Sequence, residues 1–177
     1  MQRIKYYNSP LGKLLLAADD LGLTGLWLDG QKYYASGVDF NNAVQSENEH
    51  IREASRWLDI YFCGKNPKFL PLLHQSGTEF RLAVWDLLKQ IPYGETVSYG
   101  DITKELAYRQ GDANISAQAV GGAVGHNSIL IIVPCHRVVS KSGNLTGYAG
   151  GTDNKMKLLT LEKAIKQTNI TVMALQN

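Results

Sequence analysis

The chain changes its periodicity once, and that change sets its class. Residues 4–7, 13–19 and 23–28 read as short strands separated by the turn formers Gly12, Asp20 and Gly22, the start of a β-meander. Over residues 46–62 the apolar side chains Ile51, Ala54, Trp57, Leu58 and Tyr61 recur at helical spacing, and Gly64 and Pro67 close the segment. Helical spacing then prevails. Phe80, Ala83, Val84, Leu87 and Leu88 share one face of 79–89, which Ile91-Pro92-Tyr93-Gly94 ends. Ser98 and Asp101 suit a capping arrangement ahead of Ile102 and Leu106, and Ser116 can cap a helix over 117–124. Strands first and helices afterwards predict an α+β molecule: a supporting N-terminal α/β unit over 1–75, a linker near 73–77 and a C-terminal unit over 76–177. Three helices joined by tight turns suggest a helix-turn-helix unit, a weak signal by itself.

One segment interrupts the helical half. Residues 129–133 have the length and β-branched content of a buried strand, and they lead into Pro134-Cys135-His136-Arg137-Val138. Pro134 suits the first position of a helical turn, so Cys135 is expected near a helix N-terminus. A thiol is only a few per cent ionised at neutral pH unless a dipole end or a basic partner stabilises the anion, and this context supplies both. Cys135 is therefore the candidate nucleophile, whereas Cys63, beside Gly64 and without a partner, reads as an inert buried side chain. His136 cannot stack on its own neighbour; it needs a tight turn or a bridging water and a third group to fix its tautomer. Glu162, on a helix after the Gly150-Gly151 turn, is the best acidic candidate.

The balance of charge narrows the partners. Residues 1–75 carry eight basic and eight acidic side chains and 76–177 carry ten and eight, so the net charge of +2 sits in the second half. Between Asn114 and Thr152 there is no Asp or Glu, while Arg137 and Lys141 are present, so a polyanion could approach without meeting a carboxylate. Gly121 and Gly122 lie within a predicted helix, where each glycine costs about 0.8 to 1 kcal/mol against alanine. Close backbone approach is the reason to keep them, either to another helix or to a nucleic-acid groove. With 44% apolar and 19% charged residues, the 177-residue chain can bury a sizeable core. It shows no membrane-length apolar run and no signal-peptide core, so a cytoplasmic location is expected. The histidines at 50, 74, 126 and 136 make no metal-ligand spacing with either cysteine, and neither a metal nor another cofactor is expected.

The Pro-Cys-His-Arg-Val run resembles the signature of the O6-alkylguanine-DNA alkyltransferases. Four further segments agree in type and order: residues 80–85; Ile91-Pro92-Tyr93-Gly94 with Ser98-Tyr99-Gly100; Ala119-Val120-Gly121-Gly122-Ala123 with Asn127; and Thr146-Gly147-Tyr148-Ala149-Gly150-Gly151. Ser9-Pro10-Leu11-Gly12 and the strands that follow resemble this family's first domain, less specifically. The resemblance implies a ribonuclease H-like N-terminal domain and a helical C-terminal domain with a winged helix-turn-helix-like DNA-binding unit. It implies a monomer that flips an alkylated guanine out of double-stranded DNA through the minor groove and takes the alkyl group from O6, or from thymine O4, onto Cys135, once per molecule.

By position in those motifs, His136 and Glu162 form the base and its orienter, Asn127 ties the turn before the active-site segment, and Tyr99 holds the nucleotide and donates to guanine N3. Tyr148 and the Ala149 amide cover the pocket, and the carbonyls of Cys135 and Val138 accept from the exocyclic amine. Ser98, Gln118, Ala119, Gly121, Gly122 and Arg137 are implied as DNA contacts. Gln118 departs from the family, which usually carries an arginine there that enters the base stack; a shorter, uncharged side chain implies weaker binding or slower lesion capture. The alternative is a relative that binds the lesion without transfer, but such relatives replace the acceptor cysteine. A Cys-His acyl hydrolase is disfavoured by the adjacency of Cys135 and His136, and a plain helix-turn-helix regulator leaves the thiol and the Tyr148 loop unexplained.

Overall fold

A computed structural model of the chain describes residues 1–164; the 167–177 tail, which carries no motif of the family, lies outside them. Strands β1 (Arg3–Ser9), β2 (Gly12–Ala18) and β3 (Leu23–Leu28) form an antiparallel meander, and β4 (Val44–Gln45) adds in parallel to β1, giving the order β3-β2-β1-β4. Central strand β2 is buried on both faces, and its alternation divides the side chains between two cores. Leu14, Leu16 and Ala18 enter the main core, while Leu15 and Ala17 join Ile4, Trp27 and Ala35 under the irregular segment 31–43. The Trp27 ring lies over Gly25, where a Cβ would come within 1.8 Å of the ring, so only glycine fits.

Helix α1 (Glu49–Phe62) starts three residues later than the apolar spacing predicts, because Asn48 supplies the cap by accepting from the Ile51 amide. Its buried face is Ile51, Ala54, Trp57, Leu58 and Tyr61, as the spacing predicts, together with His50. Cys63, expected to be buried, caps the helix C-terminus and is exposed. Beyond it come α2 (Glu79–Leu88), α3 (Tyr99–Gln110) and α4 (Ala117–Gly125). Ser98 and Asp101 complete a capping box for α3, and Ser116 accepts from the Ala119 amide to open α4. Trp85 Nε1 donates to the Ala123 carbonyl at 2.8 Å, which pins α4 to α2. Short strands β5 (Val97–Ser98) and β6 (Val138–Val139) pair in parallel, and α5 (Thr152–Leu161) closes the described chain.

The expected strand over 129–133 does not form. Every residue from 129 to 133 is buried, but Ile131 has φ +69°, and the Ile132 and Val133 amides bond back to Leu130 and Ile129. The β-branched content reflects complete burial rather than a ladder. Only one bridge remains: the Leu26 amide donates to Ser128 O and Leu130 N donates to Leu26 O, fastening the turn to β3. The main core runs without a break from Leu14 and Leu26 through Trp57 and Trp85 to Val133 and Leu158, joining residues on both sides of 73–77.

Candidate active site

The fastened turn delivers Pro134, and a single 3-10 turn (Cys135–Arg137) follows, with all three of its side chains buried. One such turn has little dipole, so the expected stabilisation of a thiolate by a helix end is weak here. Cys135 is 3% exposed. Burial pushes its thiol up to about 11, opposed by the Asn127 amide, the charge of Lys155 and the backbone amides of Cys135 and His136. Burial thus works against the ionisation that the sequence context suggests, so a base is needed to take the proton.

Asn127 holds the turn together from inside. Its Nδ2 donates to the carbonyls of Ile129 (3.1 Å) and Val133 (2.9 Å) and approaches Cys135 Sγ at 3.3 Å, while its Oδ1 accepts from the Ile129 amide at 3.0 Å. An asparagine at this point serves both as a brace for the turn and as a donor to the sulfur.

On the other side stands a network centred on Glu162, the C-cap of α5. His136 Nε2 lies 2.6 Å from its Oε1, and Tyr61 on α1 donates to the same oxygen at 2.6 Å. Arg137 donates through Nε to Oε2 (2.9 Å) and through Nη2 to Oε1 (3.0 Å), and the Gly94 amide donates to Oε2 at 3.2 Å. Burial alone would raise the carboxyl, yet His136 and Arg137 hold it down at about 2. Burial outweighs the pull of Glu162 and keeps His136 neutral, with a smaller contribution in the same direction from the cations of Arg137 and Lys155. The pair is therefore a carboxylate and a neutral imidazole that donates through Nε2. Nδ1 is left bare, and it is buried with no hydrogen-bond partner among the described residues.

Arg137, implied by the resemblance as a DNA contact, is corrected by this network. It is 7% exposed, its guanidinium is bound to Glu162 and to the Ile91 carbonyl (2.6 Å), and it stands 5.8 Å from the centre of the Tyr93 ring. A buried cation between these partners cannot reach a phosphate.

The segment 146–151 covers the turn. Tyr148 is half-buried, with its hydroxyl inside and unpartnered, and its ring stands edge-on to His136 with centroids 6.4 Å apart. Gly150 sits so close that a Cβ would come within 2.8 Å of the Tyr148 ring. Ala149 is half-buried beside it. Tyr99, the first residue of α3, is half-buried and donates to the Thr146 carbonyl at 3.2 Å. The carbonyls of Cys135 and Val138 already accept, from the Val138 amide and from Lys155 Nζ (2.5 Å), and each keeps one lone pair.

Helix α4 presents a bare surface. Gln118, Ala119 and Gly122 are exposed and Gly121 is half-buried, while Ser98 is spent on the α3 cap. A Cβ at Gly122 would meet nothing within 4 Å, and one at Gly121 would only touch Tyr99 at 4.0 Å. Core packing does not explain these glycines, and any surface they admit lies outside the chain. Two site residues escape sequence reading: Tyr61, which looks like an ordinary helix-core tyrosine, and Lys155, a lysine with 0% exposure. Among the described residues no three His, Cys, Asp or Glu side chains converge to hold a metal ion, and no helix is long and apolar enough to cross a membrane.

Comparison with known proteins matches both halves. Residues 3–72 match the family described as 6-O-methylguanine DNA methyltransferase, ribonuclease-like domain, and residues 79–164 match its DNA binding domain. A methylated-DNA–protein-cysteine methyltransferase of Methanosarcina acetivorans is 43% identical over 157 residues, covering 88% of this chain and 95% of the relative. The protein of the same name from Mycobacterium leprae is 44% identical over 165 residues, covering 93% and 94%. The crystal structure of Mycobacterium tuberculosis OGT in complex with DNA superposes with a TM-score of 0.78 at 40% identity, covering 92% of this chain and 93% of that one.

Proposed function

Because this chain belongs to the 6-O-methylguanine DNA methyltransferase family through both of its halves, we infer that Cys135 is the acceptor of an alkyl group from guanine O6. The protein binds DNA and repairs it by transferring the alkyl group to its own cysteine, the activity for which its relatives are named. One observation carries the choice of Cys135: its sulfur is held by Asn127 at 3.3 Å, next to a histidine whose far nitrogen is locked on Glu162.

That lock decides the chemistry. With Nε2 donating to Glu162, Nδ1 carries the lone pair and can take the thiol proton, since a neutral imidazole is a base and an imidazolium is not. The sulfur then forms its bond to the alkyl carbon as the C–O6 bond breaks, and the electron pair stays on guanine. The proton passes from His136 to the departing base. A methyl thioether offers no leaving group and no acyl carbon for water, so the product is final and each molecule acts once. Methyl is the group we assign.

The target atom is inside a duplex, so the nucleotide must leave the stack, at a cost of a few kcal/mol. We assign this work to α4 in the minor groove. Gly121, Gly122 and Ala119 admit the backbone closely, Gln118 enters the space left by the base, and Ser98 lies at the edge of the contact. Tyr99 holds the flipped nucleotide near N3, and Tyr148, the Ala149 amide and the free lone pair of Val138 face the base. We read the protein as a cytoplasmic monomer. Lesion binding without transfer is disfavoured by the retained cysteine and by the transfer activity named in the relatives.

Intact-mass spectrometry after mixing with a duplex containing O6-methylguanine tests the assignment. One gain of about 14 Da, mapped to the peptide of Cys135 and absent from Cys135→Ala, is expected for replacement of the thiol hydrogen by methyl. A gain mapped elsewhere, or none despite lesion binding, overturns it.

A further inference from the structure

Helix α4 carries no charged side chain. Yet affinity for DNA comes largely from cations set against phosphates, and the C-terminal end of a helix repels an anion. A minor groove is about 6 Å wide and is walled by phosphates, so whatever borders a helix seated there meets the backbone. The cations for those phosphates must come from the elements beside α4.

Helices α2 and α3 pack along α4, and its C-terminal end is bordered by the irregular segment 31–43 of the other half. There the Tyr33 ring stacks on His126, the C-cap of α4, with centroids 4.2 Å apart and planes 22° from parallel. His126 Nδ1 donates to the Gly122 carbonyl at 2.7 Å, which ties the stack to the helix. Tyr33 and Ala35 adopt φ +59° and +53°, a left-handed conformation uncommon outside glycine, and that backbone fixes where the ring stands. Lys32 is exposed, with Nζ 5.0 Å from the centre of the Tyr33 ring. The stack borders a cleft of about 310 Å³ lined by Tyr33, Ser36, Ser76, Arg81, Trp85 and His126. Among the described residues neither Lys32 nor the half-buried Arg81 is in an ion pair. Asp19, the one acid that lines the cleft, is taken up by His74 at 2.7 Å and by the amides of Leu21 and Gly22.

We propose that the N-terminal half binds DNA directly, with Lys32, held on Tyr33 at the end of α4, and Arg81 in the adjoining cleft seating backbone phosphates of the duplex that lies on α4. The inference rests on α4 as the DNA contact and supplies the charge that this helix lacks. The nine residues of α4 span about 14 Å, less than half of one duplex turn, so a duplex seated on the helix extends past His126 and over segment 31–43. The phosphate meets Lys32 and Arg81 there, and the hydroxyls of Ser36 and Ser76 stand in the same cleft as further donors. These contacts read no base, so they add affinity whether or not the duplex carries a lesion.

The test is fluorescence anisotropy of the full-length protein on an unmodified duplex across a salt series. Lys32→Ala and Arg81→Ala should each reduce the slope of log affinity against log salt by about 0.9 and weaken binding roughly fivefold to tenfold at about 0.1 M salt, equally with and without O6-methylguanine in the duplex. Single-turnover methyl transfer at saturating protein should keep the wild-type rate, because the contacts are to phosphates. Tyr33→Phe, which keeps the stack, should bind like wild type, and Tyr33→Ala should resemble Lys32→Ala. Lys65→Ala, at an exposed lysine that lines no part of this cleft, is the control for loss of one charge. Slopes for Lys32→Ala and Arg81→Ala within about 0.3 of wild type, or changes no larger than that of Lys65→Ala, overturn the proposal. Lys32 is exposed, so its variant decides alone if Arg81→Ala fails to fold. Gly122→Leu adds bulk where α4 has open space. Binding lost in Gly122→Leu with unchanged slopes at Lys32 and Arg81 sinks this inference alone, whereas binding that survives it overturns the α4 reading as well.

Discussion

Glu162 accepts hydrogen bonds from four residues, Tyr61, Gly94, His136 and Arg137, and that convergence has a thermodynamic signature. Its folded carboxyl titrates at about 2 against an ordinary 4.5. A depressed carboxyl contributes stability that is fully present above its unfolded value and lost as pH falls towards the folded one. Between pH 5 and pH 3 the wild type should therefore lose about 2 kcal/mol more stability than Glu162→Gln, read from urea unfolding at each pH. Equal losses would mean that the carboxylate is not held as described. At this scale the sequence was legible where chemistry is written in consecutive letters: Cys135, His136 and Asn127 lie in one short stretch, and Glu162 was the acid left over downstream. Arg137 and Lys155 were misread or missed for one reason. A cation in a polar-looking stretch reads as solvent-facing, and only the packing reveals a buried partner.

Helix α4 shows how an element can be legible in outline and opaque in purpose. Its cap at Ser116 and its extent follow from local propensity, whereas the purpose of the glycines shows only in the folded chain, which leaves open space beyond Gly122. Segment 129–133 is the converse case. Its apolar, β-branched composition is common to a buried strand and a buried turn, and Ile131 at φ +69° decides between them through tertiary packing that no local pattern encodes. The exposed Gln118 yields a prediction at this scale. Gln118→Arg adds a cation that can stack in the vacated site and neutralise phosphate, so DNA affinity should rise several-fold, the salt dependence should steepen by about one contact, and methyl transfer should quicken. Fluorescence anisotropy across a salt series, with single-turnover transfer alongside, checks it; unchanged or lower affinity and rate would show that arginine has no use at this position.

At the level of the whole molecule, the supporting half does more than support. Tyr61 reaches from α1 to the Glu162 carboxylate, and Leu26 of β3 holds the turn that presents Cys135. A fragment of residues 76–177 would expose the apolar surface that Leu26, Trp57 and Leu58 now cover, so it should lose cooperative unfolding and near-ultraviolet dichroism. A fragment that melts sharply and accepts methyl would contradict the shared core. The α/β and helical divisions were visible from periodicity, but their common interior was not, because a run of buried residues does not say which neighbour buries it. With α4 as the DNA contact proposed above, its outward face, alanines and glycines around a single glutamine, also governs how the protein scans a genome. Such a face offers one amide to read base edges, so on this reading the lesion is recognised chiefly after the base has left its neighbours. Encounter is then gated by the mechanical softness of each step along the duplex: alkylated guanines beside weakly stacked pyrimidine–purine steps are corrected early, and those embedded in rigid tracts persist longest.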